Sequence, residues 1–228
     1  QWIPDLFMKR VESDEDWSLF SPSECPELLN CYGEEFERNY LAAEQSGKAM
    51  KKISARALYA RMMQTLAETG NGWMCFKDKA NLRSAQTAKP GNVIHSSNLC
   101  TEIIEYSSPE ETAVCNLASI ALPHFVAADS RSYDFPRLRD VTRLIVNNLN
   151  RVIDINYYAV KKARDSNLRQ RPVGLGIMAF QDCLYEQHIP YASQAAVEFA
   201  DRSMEAICYY AYWASTEQIG RASCRERV

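Results

Sequence analysis

The sequence predicts an α/β architecture with parallel strand pairing. Three observations carry that expectation. Short apolar runs of strand length (WMCFK, NLCTEIIEY, TAVCNLASIAL, RPVGLGI) alternate with long helical patterns. No internal repeat or low-complexity tract interrupts them. A hydrophobic content of 46% over 228 residues is enough to bury a sizeable core.

Taken in order, PDLFMKRVE (4–12) reads as a short helix, followed by a loop into WSLF and a Pro/Ser/Cys turn, SPSECPE. GEEFERNYLAAEQSGKA (33–49) is charged and loosely helical, and is expected to run over the surface. SARALYARMMQTLAETG (54–70) spaces Ala57, Leu58, Met62 and Leu66 as on a helix and ends on Gly70, a residue suited to a left-handed cap. WMCFK (73–77) reads as a buried strand. Residues 98–106 and 112–122 read as two more strands, joined by the turn-forming SSPEE. Residues 134–158 form a long amphipathic pattern. RPVGLGI is strand-like and leads into a helix, and 193–218 supplies the last helix, with Ser193 as N-cap.

No run approaches the ~18 apolar residues of a membrane span, and no signal peptide opens the chain. It opens instead on Gln1, inside a well-patterned segment, as an internal piece of a longer protein would. The eight cysteines are dispersed and often sit in apolar runs, which predicts free and mostly buried thiols in a reducing cytoplasm rather than a disulfide framework. With no CxxC and three scattered histidines, no zinc site is expected. Residues 218–228 are read apart. IGRASCRERV is what a common sequencing-library adapter encodes, and it is expected to be non-native and disordered. Without its three arginines and one glutamate the net charge moves from −3 to −5. An acidic balance with no basic patch argues against a nucleic-acid partner.

PVGLGIMA (172–179) fits the GxGxxA dinucleotide fingerprint in letters only. It lacks a full hydrophobic strand before Gly174 and an acidic residue about 20 positions on. Tight strand-to-helix packing through Gly174 and Gly176 is the better reading. The stretch SSNLCTEIIEY is more pointed. If it is a strand, Asn98, Cys100 and Glu102 share one face, so an amide, a thiol and a carboxylate converge on one small volume. A strand with one wet face could hold the same three residues for no chemical reason. A cysteine hydrolase would need a histidine base, and His95 is the local candidate. Glu105 reads as solvated.

NLCTEI followed by AVCNLASIAL resembles the catalytic barrel of the class I ribonucleotide reductase large subunit. WIPDLFMKRVE, WSLF with ECPEL, DINYY and RPVGLGI resemble the same family in the same order, so the likeness covers nearly all of residues 1–217. It implies part of a ten-stranded α/β barrel with a catalytic finger loop. It also implies thiyl-radical reduction of ribonucleoside diphosphates to 2′-deoxyribonucleotides. By resemblance Cys100 is the radical thiol and Glu102 the base for the 3′-hydroxyl. Asn98 is the amide that holds the sugar, and Cys115 is one of two redox thiols. No cofactor is expected in this chain. A dinuclear metal and radical centre is implied in a partner small (beta) subunit, and nucleoside triphosphate effectors are implied to bind outside residues 1–217. Self-association of large subunits and reduction by thioredoxin or glutaredoxin are implied as well. The second redox thiol, the phosphate loop and the radical-relay tyrosines are not found here, so residues 1–228 alone are expected to be inactive. A cobalamin-dependent reductase and a non-catalytic assembly paralogue are the alternatives.

Overall fold

A computed structural model describes residues 1–129 and 131–225, with side chains through Gln218. Two compact units divide the chain after Ala113.

In the first unit β1 (Trp2–Ile3) leads into α1 (Asp5–Ser13), then β2 (Asp16–Leu19) and α2 (Gly33–Gln45). β3 (Lys51–Ser54), α3 (Ala55–Thr69), β4 (Cys75–Phe76) and α4 (Lys77–Arg83) follow, with a 3-10 turn at Ala85–Ala88. β1 pairs β4 in parallel, Trp2 opposite Cys75, and β2 pairs β3 antiparallel, Asp16 opposite Ser54. The caps of α3 fit its sequence: Ser54 Oγ accepts from the Ala57 N–H at 3.2 Å, and Gly70 closes the helix at φ 67°.

α2 is not a surface excursion. Phe36, Tyr40 and Ala43 are buried, with Phe36 and Tyr40 in a cluster with Leu6 and Cys31. Their i, i+4, i+7 spacing makes one apolar stripe inside an otherwise charged segment. The Arg10 guanidinium, also buried, grips Glu44 of α2 through two hydrogen bonds of 2.7 and 2.6 Å. Glu44 is thereby held below the usual carboxylate range, and Arg10 above its own.

The starts of α1 and α2 lack side-chain caps of their own, since Pro4 and Tyr32 occupy the cap positions. Asp78 on α4 supplies both. Its buried carboxylate accepts from the Asp5 N–H at 2.6 Å and the Gly33 N–H at 2.7 Å. Each contact answers a donor that helix geometry leaves orphaned, and the negative charge suits two positive helix ends.

The second unit begins at Val114. β5 (Leu117–Ala121) is followed by a 3-10 turn at Leu122–Phe125, α5 (Phe135–Ile155) and α6 (Lys161–Gln170). β6 (Gly174–Met178), α7 (Phe180–Glu186) and α8 (Gln194–Arg225) complete it. β5 and β6 pair in parallel from Leu117↔Gly174 to Ala121↔Met178. α5 buries Leu138, Thr142, Val146, Leu149 and Ile153. It ends at Ile155, before DINYY finishes. Asp134 Oδ1 caps its start, and Ser193 Oγ accepts from the Ala196 N–H at 3.2 Å as expected for α8. The core joins Ile120, Leu122, Phe125, Leu138, Leu184 and Phe199.

The described strands form three two-stranded sheets, so the α/β class holds and no closed barrel forms among the described residues. Four expectations need correction. WMCFK yields only β4, whose Phe76 is exposed. The crowding at Gly174 is strand to strand, because a Cβ there would meet Leu117 Cδ2 at 2.5 Å. Burial claims Cys25, Cys31 and Cys183 but not Cys100, Cys115 or Cys208, since apolar neighbours in sequence do not put a residue on a buried face. Finally, α8 continues through Arg225, so residues 219–225 have helical backbone where disorder was expected, and 226–228 lie outside the described residues. Among the described residues no helix is long and apolar enough to cross a membrane.

Candidate active site

Residues 96–106 form no strand. The Thr101 N–H donates to the Asn98 carbonyl at 3.2 Å, closing a tight turn with Leu99 and Cys100 at its centre. The alternating polar and apolar residues suit a strand, but this segment's hydrogen bonds go to side chains instead of a ladder. Asn98 Oδ1 accepts from the Ile103 N–H at 3.1 Å and from Ser97 Oγ at 3.3 Å. Ser97 Oγ also donates to the Ile103 carbonyl at 2.6 Å. The residues facing each other across the turn are therefore stitched by Ser97 and Asn98, and the thiol sits at the tip of a loop.

Exposure follows from that geometry. Leu99 is 91% exposed, and Asn98, Cys100 and Glu102 are exposed with it. Thr101 takes a left-handed backbone at φ 66°, an uncommon and costly conformation for a β-branched residue. Glu105, expected in solvent, is half-buried.

The flanks of the loop are fixed by buried amides. Asn81, fully buried on α4, accepts from the Ile94 N–H at 2.8 Å and donates to the Ile94 carbonyl at 3.0 Å. That is how a neighbouring strand would bind Ile94. A cleft of about 500 Å³ lies beside the turn, lined by Trp2, Trp73, Cys75, Asn98, Leu99 and Thr101 among others. Trp73, Cys75 and Asn81 were not singled out from sequence, and no local pattern marks them.

His95 is engaged elsewhere. Its Nε2 lies 2.9 Å from Asn30 Oδ1, and burial first, then the Lys77 ammonium, lowers its pKa. Lys77 itself is buried with its ammonium 4.2 Å from the Phe36 ring centroid, and burial lowers its own pKa. Among the described residues no hydrogen bond joins His95 to Cys100, so the geometry adds no support to the hydrolase alternative.

Cys115 belongs to the second unit. It is exposed and lies two residues before β5, not on a strand. Asn116 beside it is buried, donating to Asn167 Oδ1 and to the Pro172 carbonyl, each at 2.8 Å. Asn167 Nδ2 donates on to Tyr158 Oη at 2.6 Å, and Tyr158 donates to the Ile153 carbonyl at 2.7 Å. This amide chain fixes the backbone on which Cys115 rides.

Residues 1–221 match the family model described as ribonucleotide reductase, barrel domain. The chain is 49% identical over 216 residues to the ribonucleoside-diphosphate reductase large subunit of Caenorhabditis elegans, covering 95% of this chain and 27% of that protein. It is 47% identical to the large chain of Neurospora crassa (95% and 23%) and 48% identical to the alpha subunit of Chlamydia trachomatis (94% and 20%). The chain thus spans about a quarter of the length of these curated relatives.

Proposed function

The chain belongs to the ribonucleotide reductase barrel-domain family, and from that premise we propose that it is part of the large, catalytic subunit of a ribonucleoside-diphosphate reductase. The observation that carries the reading is the NLCTE motif on a tight, exposed turn. A thiol at a loop tip can be brought against a substrate sugar, whereas a buried thiol cannot.

Cys100, as a thiyl radical, takes the 3′-hydrogen of the ribose, making S–H and leaving a carbon radical that weakens the neighbouring C2′–O bond. Glu102, two residues along and exposed, takes the 3′-hydroxyl proton. Asn98 holds the sugar hydroxyls. Among the described residues its hydrogen bonds run through its oxygens, which leaves the Nδ2 donor for the substrate. The 2′-hydroxyl departs as water with one proton from the redox thiol pair, and the other proton ends on C2′. Glu102 returns its proton to the 3′-oxygen, and the Cys100 S–H gives its hydrogen back to C3′, restoring the thiyl radical. Cys115 and a second thiol supply two electrons and become a disulfide, later reduced by thiol exchange with thioredoxin or glutaredoxin.

The one-electron chemistry that starts the cycle belongs to a dinuclear metal and radical centre in a small-subunit partner. Large subunits associate with one another, triphosphate effectors bind outside residues 1–217, and the enzyme works in the cytoplasm. The test is Cys100→Ser in the full-length subunit with its small subunit, a nucleoside diphosphate and a dithiol. An alcohol O–H is too strong to be replaced by a radical of comparable energy, so deoxynucleotide formation should disappear. Turnover near the wild-type rate would refute the assignment.

A further inference from the structure

The loop tipped by Cys100 has no strand ladder on either arm, so side chains must fix where the thiol stands. One residue touches both arms. Gln86, in the 3-10 turn after α4, accepts the Tyr106 N–H on the returning arm with its side-chain oxygen at 2.6 Å. Its backbone carbonyl accepts Asn92 Nδ2 on the outgoing arm at 2.9 Å. Asn81 holds the outgoing arm again two residues later, at Ile94. The Gln86 side chain ties the returning arm to this segment.

We propose that Gln86 is a positioning residue for Cys100, acting through the Tyr106 amide to set the returning arm and with it the turn that carries the thiol and Glu102. The proposal rests on the reading of Cys100 as the radical thiol. Ser97 and Asn98 lock residues 97–103 into one stitched unit, so a displacement at 106 is passed to the tip instead of being absorbed within the turn. Hydrogen transfer tolerates little displacement, and a misplacement of about 1 Å can cost on the order of 100-fold in rate.

Two substitutions in the full-length subunit separate this role from simple folding. Gln86→Ala deletes the acceptor and leaves the backbone contact to Asn92. Gln86→Glu keeps an oxygen at the same reach. Gln86→Ala should lower kcat about 10- to 100-fold with KM changed less than about 3-fold. It should also change the alkylation rate of Cys100, read by peptide mass spectrometry, by about 3-fold or more. Gln86→Glu should stay near wild type in both. Wild-type turnover in Gln86→Ala overturns the proposal, as does an equal loss in the two variants. Cys100→Ser is run beside them. If it keeps turnover, the radical-thiol reading fails and takes this proposal with it. If it is inactive while Gln86→Ala is normal, only the positioning role is lost.

Discussion

Asp78 gives the sharpest stability prediction, because one buried carboxylate answers two helix starts that have no side-chain cap of their own. Asp78→Ala removes both acceptors. A hydrogen bond to a charged group is worth about 1.5–3 kcal/mol, so the pair bounds the loss at roughly 3–6 kcal/mol. The Asp5 and Gly33 amides are only partly buried, and water can reach them once the carboxylate is gone. That reduces the expected local loss to about 2–4 kcal/mol. Global unfolding of a multidomain subunit is not two-state, so hydrogen exchange is the assay. The amides opening α1 and α2 should exchange roughly 30- to 1,000-fold faster, the local free energy converted at 1.4 kcal/mol per tenfold. The opening amides of α3, which Ser54 caps, should not change. Asp78→Asn keeps one oxygen acceptor and should loosen one helix start more than the other. The shared-cap account fails if α1 and α2 keep their protection in Asp78→Ala within about 3-fold, or if only one responds.

In the proposed roles, Cys115 separates from Cys100 by when it acts. Cys115→Ser in the full-length subunit should block repeated turnover and disulfide formation, yet still allow 3′-hydrogen abstraction with release of free base. Absence of both base release and radical loss would count against that division. The left-handed Thr101 backbone gives a third test. Proline fixes φ near −65° and removes the N–H that closes the turn, so Thr101→Pro should cut turnover by about 100-fold or more. Glycine accepts φ 66° without strain, so Thr101→Gly should keep turnover within about 3-fold. Equal rates for the two would show that the turn does not position the thiol.

Long elements with regular periods were legible in the sequence. α3 and α5 follow from apolar spacing, and α1 and α8 were expected as helices. Gly70 and Ser193 mark two ends with the residues that capping requires, whereas the Ser54 and Asp134 caps were not singled out. α4 and α6 were missed because their buried faces are largely polar: Lys77, Asp78 and Asn81 on one, Ser166 and Asn167 beside Ala163 on the other. Hydrophobic periodicity cannot report a helix that buries amides and carboxylates. The candidate site was legible as residue types and as a family likeness, not as geometry. Asn, Cys and Glu at alternate positions imitate a strand, while the turn is made by side-chain bonds from Ser97 and Asn98 to Ile103, and by Gln86 from outside the loop, which hydrophobic patterning does not report. The burial of α2 lay in three residues, Phe36, Tyr40 and Ala43, outnumbered by charged neighbours.

The parallel pairing of β1 with β4 has a consequence for synthesis. Trp2 meets Cys75 and Ile3 meets Phe76, a separation of 73 positions. A parallel pair cannot zip from a local hairpin. At about 5–20 residues per second of translation, Trp2 is added roughly 4–15 s before Cys75. Throughout that interval Trp2 and Ile3 present an unpaired edge, and Ile3 and Phe7 wait for Ala55 and its neighbours on α3. A nascent chain stalled before residue 75 should therefore bind chaperones through residues 2–7, and one extended past α4 should release them.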